Sequence, residues 1–150
     1  MPAENFAAWL QKEHHRVNEL IQGLRALIGA VPITGQAAWI AEVSKRFEHI
    51  RAHLRQHMAL EERDGYLASV LELRPTLAGE VARLQHEHLE LARLTDDIHR
   101  TLGQLTPEDR LLTRDACQRI GNLLSYLEHH EADENLIVLS AFTDDIGAKD

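Results

Sequence analysis

Apolar residues recur along this chain at helical spacing almost from end to end. Between about 3 and 29 they fall at Phe6, Leu10, Val17, Ile21, Leu24 and Ile28, and the run from Gly29 to Pro32 stops the pattern. A second segment, about 35–63, repeats at Trp39, Val43, Phe47, Ile50 and Leu54. Asp64-Gly65 weakens the helix there, and Arg74-Pro75 ends whatever follows. A third segment, about 76–102, repeats at Leu77, Val81, Leu84, Leu91, Ile98 and Leu102. The fourth opens at Thr106-Pro107-Glu108-Asp109, which reads as an N-cap, a proline at the first helical position and acids in the first turn. It then repeats at Ala116 or Cys117, Ile120, Leu124, Leu127, Ile137 and Ala141. Four long helices with short connections predict an all-α fold, an up-down-up-down four-helix bundle, with residues 1–150 forming a single domain.

Polar residues interrupt these apolar stripes in a regular way. His14 stands four after Leu10 and three before Val17. His57 stands three after Leu54, with Glu61 one turn on. His88 stands four after Leu84 and three before Leu91. His130 stands three after Leu127, with Glu134 one turn on and Ile137 three beyond. Each helix therefore turns one histidine toward the core, and two of them add a carboxylate at i+4 on the same face. A buried carboxylate without a partner costs several kcal/mol, and an unpaired imidazole roughly 1–3. One metal site would compensate all six, since imidazole and carboxylate together suit iron, manganese or zinc. Midpoints between histidines on successive helices fall in or within a few residues of the connecting turns. Such offsets amount to about 5 Å along a helix. The four rings can therefore share one height.

Composition narrows the classes. The 150 residues carry 24 acidic and 16 basic side chains, a net charge of −8, which argues against nucleic acid as a partner. No apolar run reaches the roughly 20 residues of a membrane span. No signal peptide is visible, and one cysteine, Cys117, fits a reducing compartment, so the expected location is the cytoplasm. Cys117 lies 13 residues from His130, about 20 Å along a helix, and reads as a packed apolar residue. The outlier is histidine, with ten copies. His15, His49, His86, His99 and His129 read as surface residues. The adjacent pairs leave other registers open: His15 for His14, His86 for His88, or His129 with Asp133 for His130 with Glu134. The apolar flanks favour the first-named set.

Two other site classes fit poorly. No glutamate stands three before any histidine, as ferritin-like di-iron bundles require, and His-Glu-x-x-His is absent.

A weak internal repeat runs through the chain. His53-Leu54-Arg55-Gln56-His57 followed by Glu61 aligns with Tyr126-Leu127-Glu128-His129-His130 followed by Glu134. Glu13-His14 with Val17 aligns with Glu87-His88 and Leu91. The chain thus reads as two similar hairpins with matching ligand sets, which suits two metal ions bridged by shared carboxylates.

This order of His, His-x-x-x-Glu, His, His-x-x-x-Glu over about 10–142 resembles the hemerythrin-like (HHE cation-binding) family, in its bacterial single-domain form. The resemblance implies a non-haem di-iron centre with an oxo or hydroxo bridge, reactive toward a small diatomic ligand (oxygen or nitric oxide) or peroxide. It implies Glu61 and Glu134 as bridges and His14, His57, His88 and His130 as terminal ligands. Oxygen-carrying hemerythrins place a second histidine one turn along the third helix. Here those positions are Leu84 and Ala92. One terminal ligand is therefore missing, or comes from His53, Glu62 or Tyr66. The gap turns expectation from reversible carriage toward chemistry at open coordination positions. A module that holds iron or senses without turnover, and a metal-free helical interaction domain, are the competing readings.

Overall fold

The computed structural model describes residues 3–63 and 65–147 of the chain, with side chains over 5–63 and 65–142. The protein is all-helical. Among the described residues the elements are α1 (Ala3–Ile28), α2 (Gln36–Arg63), α3 (Tyr66–Leu73), a 3₁₀ turn (Pro75–Leu77), α4 (Ala78–Gln104) and α5 (Arg110–Gly147).

The four long helices touch in the cycle α1, α2, α4, α5. Polar contacts link α1 with α2, α1 with α5 and α2 with α4. Trp39 Nε1 donates to the Leu27 carbonyl at 3.1 Å, while Glu13 lies 3.0 Å from His53. Arg25 pairs with Glu128 at 2.6 Å, and His14 meets Asn135 at 3.0 Å. Arg51 pairs with Asp96 at 3.0 Å, and Glu62 lies 3.3 Å from His88.

Two details depart from the sequence pattern. The connection after α2 contains a further helix, α3, of eight residues. Gly65, at φ 75°, supplies the left-handed turn into it, a conformation glycine adopts without strain. Arg74 closes it by donating its backbone N–H to the Val70 carbonyl at 2.9 Å, and Pro75 opens the 3₁₀ turn. Asp64 lies outside the described residues. The fourth long helix also starts later than Thr106-Pro107 suggested. Asp109 Oδ2 accepts from both the Thr106 backbone N–H and its hydroxyl, each at 3.0 Å. That fixes 106–109 as a turn, and the Asp109 carbonyl accepts the first helical bond, from Thr113 at 2.8 Å. The acid, rather than the threonine, therefore ends up at the helix start.

The core is split into two apolar clusters. One contains Val17, Leu54, Leu91 and Leu127 with Phe47, Ile50, Ile120 and their neighbours. The other contains Phe6, Leu10, Tyr66, Leu67, Val70, Val81, Leu84 and Ile137. On α1, α4 and α5 the site histidine lies between a member of each cluster: His14 between Leu10 and Val17, His88 between Leu84 and Leu91, His130 between Leu127 and Ile137. A polar layer is thus held between two dry ones. The apolar burial on either side supplies the stability from which that layer's desolvation is drawn. Cys117 is half-buried against the first cluster, and burial raises its thiol pKa. No described helix is long and apolar enough to cross a membrane.

Candidate metal centre

Helical periodicity fixes which side chains enter the polar layer. His14, His57, His88 and His130 are 5%, 5%, 2% and 4% exposed, while Glu61 and Glu134 are fully buried. The neighbouring histidines turn outward. His15 pairs with Glu19 on the surface and His86 with Glu90, and His129 is exposed. His49 is also exposed, and His99 sits on the surface against Glu48.

All four buried rings aim Nε2 at the two carboxylates. His14 lies 2.9 Å from Glu134 Oε1, and His57 lies 2.8 Å from Glu61 Oε1 and 3.3 Å from Glu134 Oε1. His88 lies 3.4 Å from Glu61 Oε1 and 4.0 Å from Glu134 Oε2. His130 lies 3.3 Å from Glu134 Oε2. Two ligand sets emerge, His14 with His57 and Glu134, and His88 with His130 and Glu134. Within each set the donor atoms lie within 4.8 Å of one another. The two carboxylate oxygens of Glu134 face different sets, as a bridging ligand would require.

Two of the four outer nitrogens are hydrogen-bonded. His14 Nδ1 meets Asn135 Oδ1 at 3.0 Å, and His130 Nδ1 meets Glu87 Oε1 at 2.7 Å. His57 Nδ1 lies 3.6 Å from Glu13 and His88 Nδ1 3.3 Å from Glu62, but neither nitrogen is hydrogen-bonded. At His14 and His130, an acceptor at Nδ1 keeps the proton there and leaves the Nε2 lone pair free, which is how a metal-binding imidazole is oriented.

The other candidates from the sequence lie outside this inner layer. His53 sits behind His57 against Glu13, and burial lowers its pKa. Glu62 is partly exposed and reaches the far side of His88. Tyr66 stacks with Phe6 and Trp9, and Trp9 in turn stacks on the His57 ring at 5.1 Å and 10°. That aromatic group closes one flank of the site.

Charge is concentrated here without full compensation. Burial opposes the imidazolium of His57 and of His88, but Glu134 and Glu61 outweigh it and raise both pKa values to about 10. Burial likewise opposes charge on His130, with Glu134 and Glu87 raising it overall. Burial also resists ionisation of Glu134, yet four imidazoles hold it well below the usual carboxylate range. Even so, both oxygens of Glu61, Oε2 of Glu134 and Nε2 of His88 and His130 are buried without a hydrogen bond. Unsatisfied buried polar atoms are uncommon and costly. These converge on one point and are all metal-donor atoms, so the residues fit a metal.

Two features escaped the sequence pattern. Asn135 and Glu87 act on the outer nitrogens from positions that carry no apolar signal of their own. Glu131 is 6% exposed, beside the site on α5, and burial raises its pKa to about 7. It falls four after Leu127 and three before Glu134, so helical spacing did carry a signal for it.

No curated protein and no solved structure matches this chain. The hemerythrin HHE cation-binding domain matches residues 5–142, nearly the whole length, and the chain belongs to that family.

Proposed function

We propose that this chain is a non-haem di-iron protein, built as a single-domain, up-down-up-down four-helix bundle, that binds or reacts with oxygen, peroxide or nitric oxide. His14, His57, His88 and His130 would hold the two irons as terminal ligands, and Glu61 and Glu134 would bridge them. The observation that carries this reading is Glu61, fully buried, with neither carboxylate oxygen hydrogen-bonded, among imidazole nitrogens. Cation binding by the family supports a metal in that place. Imidazole with carboxylate suits iron. The two acidic bridges favour a pair of ions over one. Bound iron would supply the electron-transfer chemistry. The chain supplies orientation through Glu87 and Asn135, and a dry surround through its two apolar clusters.

Anaerobic loading with ferrous iron, removal of excess and metal analysis test the proposal. About two irons per chain are expected, and none retained would overturn it. Reactivity is then read by exposing the reduced protein to air, peroxide or nitric oxide and following its visible spectrum.

A further inference from the structure

The end of the bundle away from the histidine layer carries a cavity that the proposed function does not use. It has a volume of about 470 Å³ and lies between the α1–α2 connection and the start of α5. That size falls within the range of small-ligand pockets, roughly 300–1,000 Å³. Arg114, which lines it, stands 16 residues before His130 on α5, about 24 Å along the helix. The cavity is therefore separate from the candidate metal centre.

One wall is apolar and held in place. Trp39 and Ile40 come from α2, and Val31, Pro32 and Ile33 from the connection. The Trp39 indole N–H donates to the Leu27 carbonyl at 3.1 Å. The Gln36 amide donates to the carbonyls of Pro32 and Ile33, at 3.3 and 2.5 Å, and ties the connection to the first turn of α2. Val31 and Ile33 remain 46% and 91% exposed.

The α5 wall is cationic. Arg110 and Arg114 stand one turn apart, and like charges at that spacing repel. Neither side chain has an ion pair among the described residues, and no acidic residue lines the cavity. The chain has 24 acidic against 16 basic side chains, so a wall with two cations and no acid runs against its overall charge. Thr113 lies between the two in sequence and also lines the cavity. It is only 7% exposed, and its hydroxyl is hydrogen-bonded to no described residue. A buried hydroxyl in that state is a donor without its acceptor.

We propose that this cavity binds an organic carboxylate with an apolar body. The carboxylate accepts from the guanidinium forks of Arg110 and Arg114 and from the Thr113 hydroxyl. The hydrocarbon part lies against Trp39, Ile40 and Val31 and takes their apolar surface out of water. An inorganic anion would leave those walls uncovered. An apolar face of a second chain would leave the cations without a partner.

Octanoate is the probe, titrated by calorimetry into the full chain. One octanoate per chain should bind, in the metal-free and the iron-loaded protein alike. In a Trp9→Phe variant, which leaves Trp39 as the remaining tryptophan, octanoate should shift the fluorescence saturably. Octanol lacks the charge and acetate the hydrocarbon chain, and each should bind at least roughly tenfold more weakly. Arg110→Gln combined with Arg114→Gln should weaken octanoate at least roughly tenfold. That variant should melt no lower than wild type, because a repulsive pair has gone. Val31→Asp, at a half-exposed position, should also abolish octanoate binding by placing a carboxylate in the site. No saturable binding at millimolar octanoate would overturn the proposal. So would octanol binding as tightly, or an unchanged affinity in the double arginine variant. A dimer in sedimentation that Val31→Asp dissociates, with no octanoate bound, would overturn it in favour of a second copy as occupant. Each of these leaves the di-metal reading intact, and a chain that takes up no iron leaves this proposal standing.

Discussion

Metal binding to this site must displace protons, and the structure says over which pH range. A ligating imidazole has to be neutral. A histidine with its ordinary pKa near 6.5 is already neutral at pH 7.5 and would make metal affinity level off above about pH 7. His57 and His88 are held instead at about 10 by Glu61 and Glu134 in the metal-free protein. Removing a proton at pH 7.5 from a group with a pKa of about 10 costs about 3.4 kcal/mol, at 1.36 kcal/mol per pH unit. The two rings lean on the same carboxylates, so their protons are not independent, and the total lies between about 3 and 7 kcal/mol. Affinity for ferrous iron should therefore keep rising from pH 7.5 to 9.5, by roughly one to two factors of ten per pH unit. Anaerobic titration against a chromophoric chelator measures the affinity. Calorimetry in buffers of different ionisation enthalpy counts the protons released. Glu131, at about 7, is ionised across this window and adds little to the slope. A plateau above pH 7, with less than half a proton released per chain, would refute the reasoning. It would mean that the carboxylates do not hold imidazolium in the metal-free state.

Further outcomes follow from the same geometry. In the metal-free protein the raised histidine pKa values stabilise the fold fully below about pH 6.5 and lose that contribution as pH rises toward 10. Thermal melts of metal-free protein should thus fall over that range, while added iron raises the melting temperature more at pH 8 than at pH 6. Glu134→Ala should abolish two-iron loading, and with it the roughly 2.7 kcal/mol that ligand at 100 times its dissociation constant confers. His99→Ala, on the surface against Glu48, should leave loading unchanged by metal analysis. Glu87→Gln should weaken iron binding by about 10- to 100-fold without loss of helicity, because His130 loses the carboxylate 2.7 Å from its Nδ1. Phe47→Ala, at a fully buried position well inside the first cluster, should cost about 3–5 kcal/mol in denaturant melts of the metal-free protein.

The sequence was most legible where one periodicity served two purposes. A histidine in an apolar stripe is both a register marker and a ligand candidate, so Leu10-His14-Val17 and Leu84-His88-Leu91 located the polar layer and separated His14 from His15 and His88 from His86. The short helix Tyr66–Leu73 was illegible as an element because eight residues hold barely two turns, too few to show a period. The outer partners were hidden for a different reason. Glu13 and Glu87 flank the stripe, where a solvated carboxylate and an orienting one look alike in sequence. Only the repeat, which pairs Glu13-His14 with Glu87-His88, hinted that both hairpins place an acid there for the same task. Glu131 shows the limit of treating a stripe as a single line. A long helix packed among neighbours buries a band wide enough for Leu127-Glu131-Glu134-Val138 as well as Leu127-His130-Glu134-Ile137, and all of these residues are buried. Two overlapping registers on α5 put a second carboxylate at the polar layer, where α2 has Met58. The duplication thus placed one buried histidine on each long helix and a buried carboxylate one turn beyond two of them. The departures from it, at Met58 against Glu131 and at Glu62 against Asn135, each pair 73 residues apart, are where the two halves can differ in chemistry.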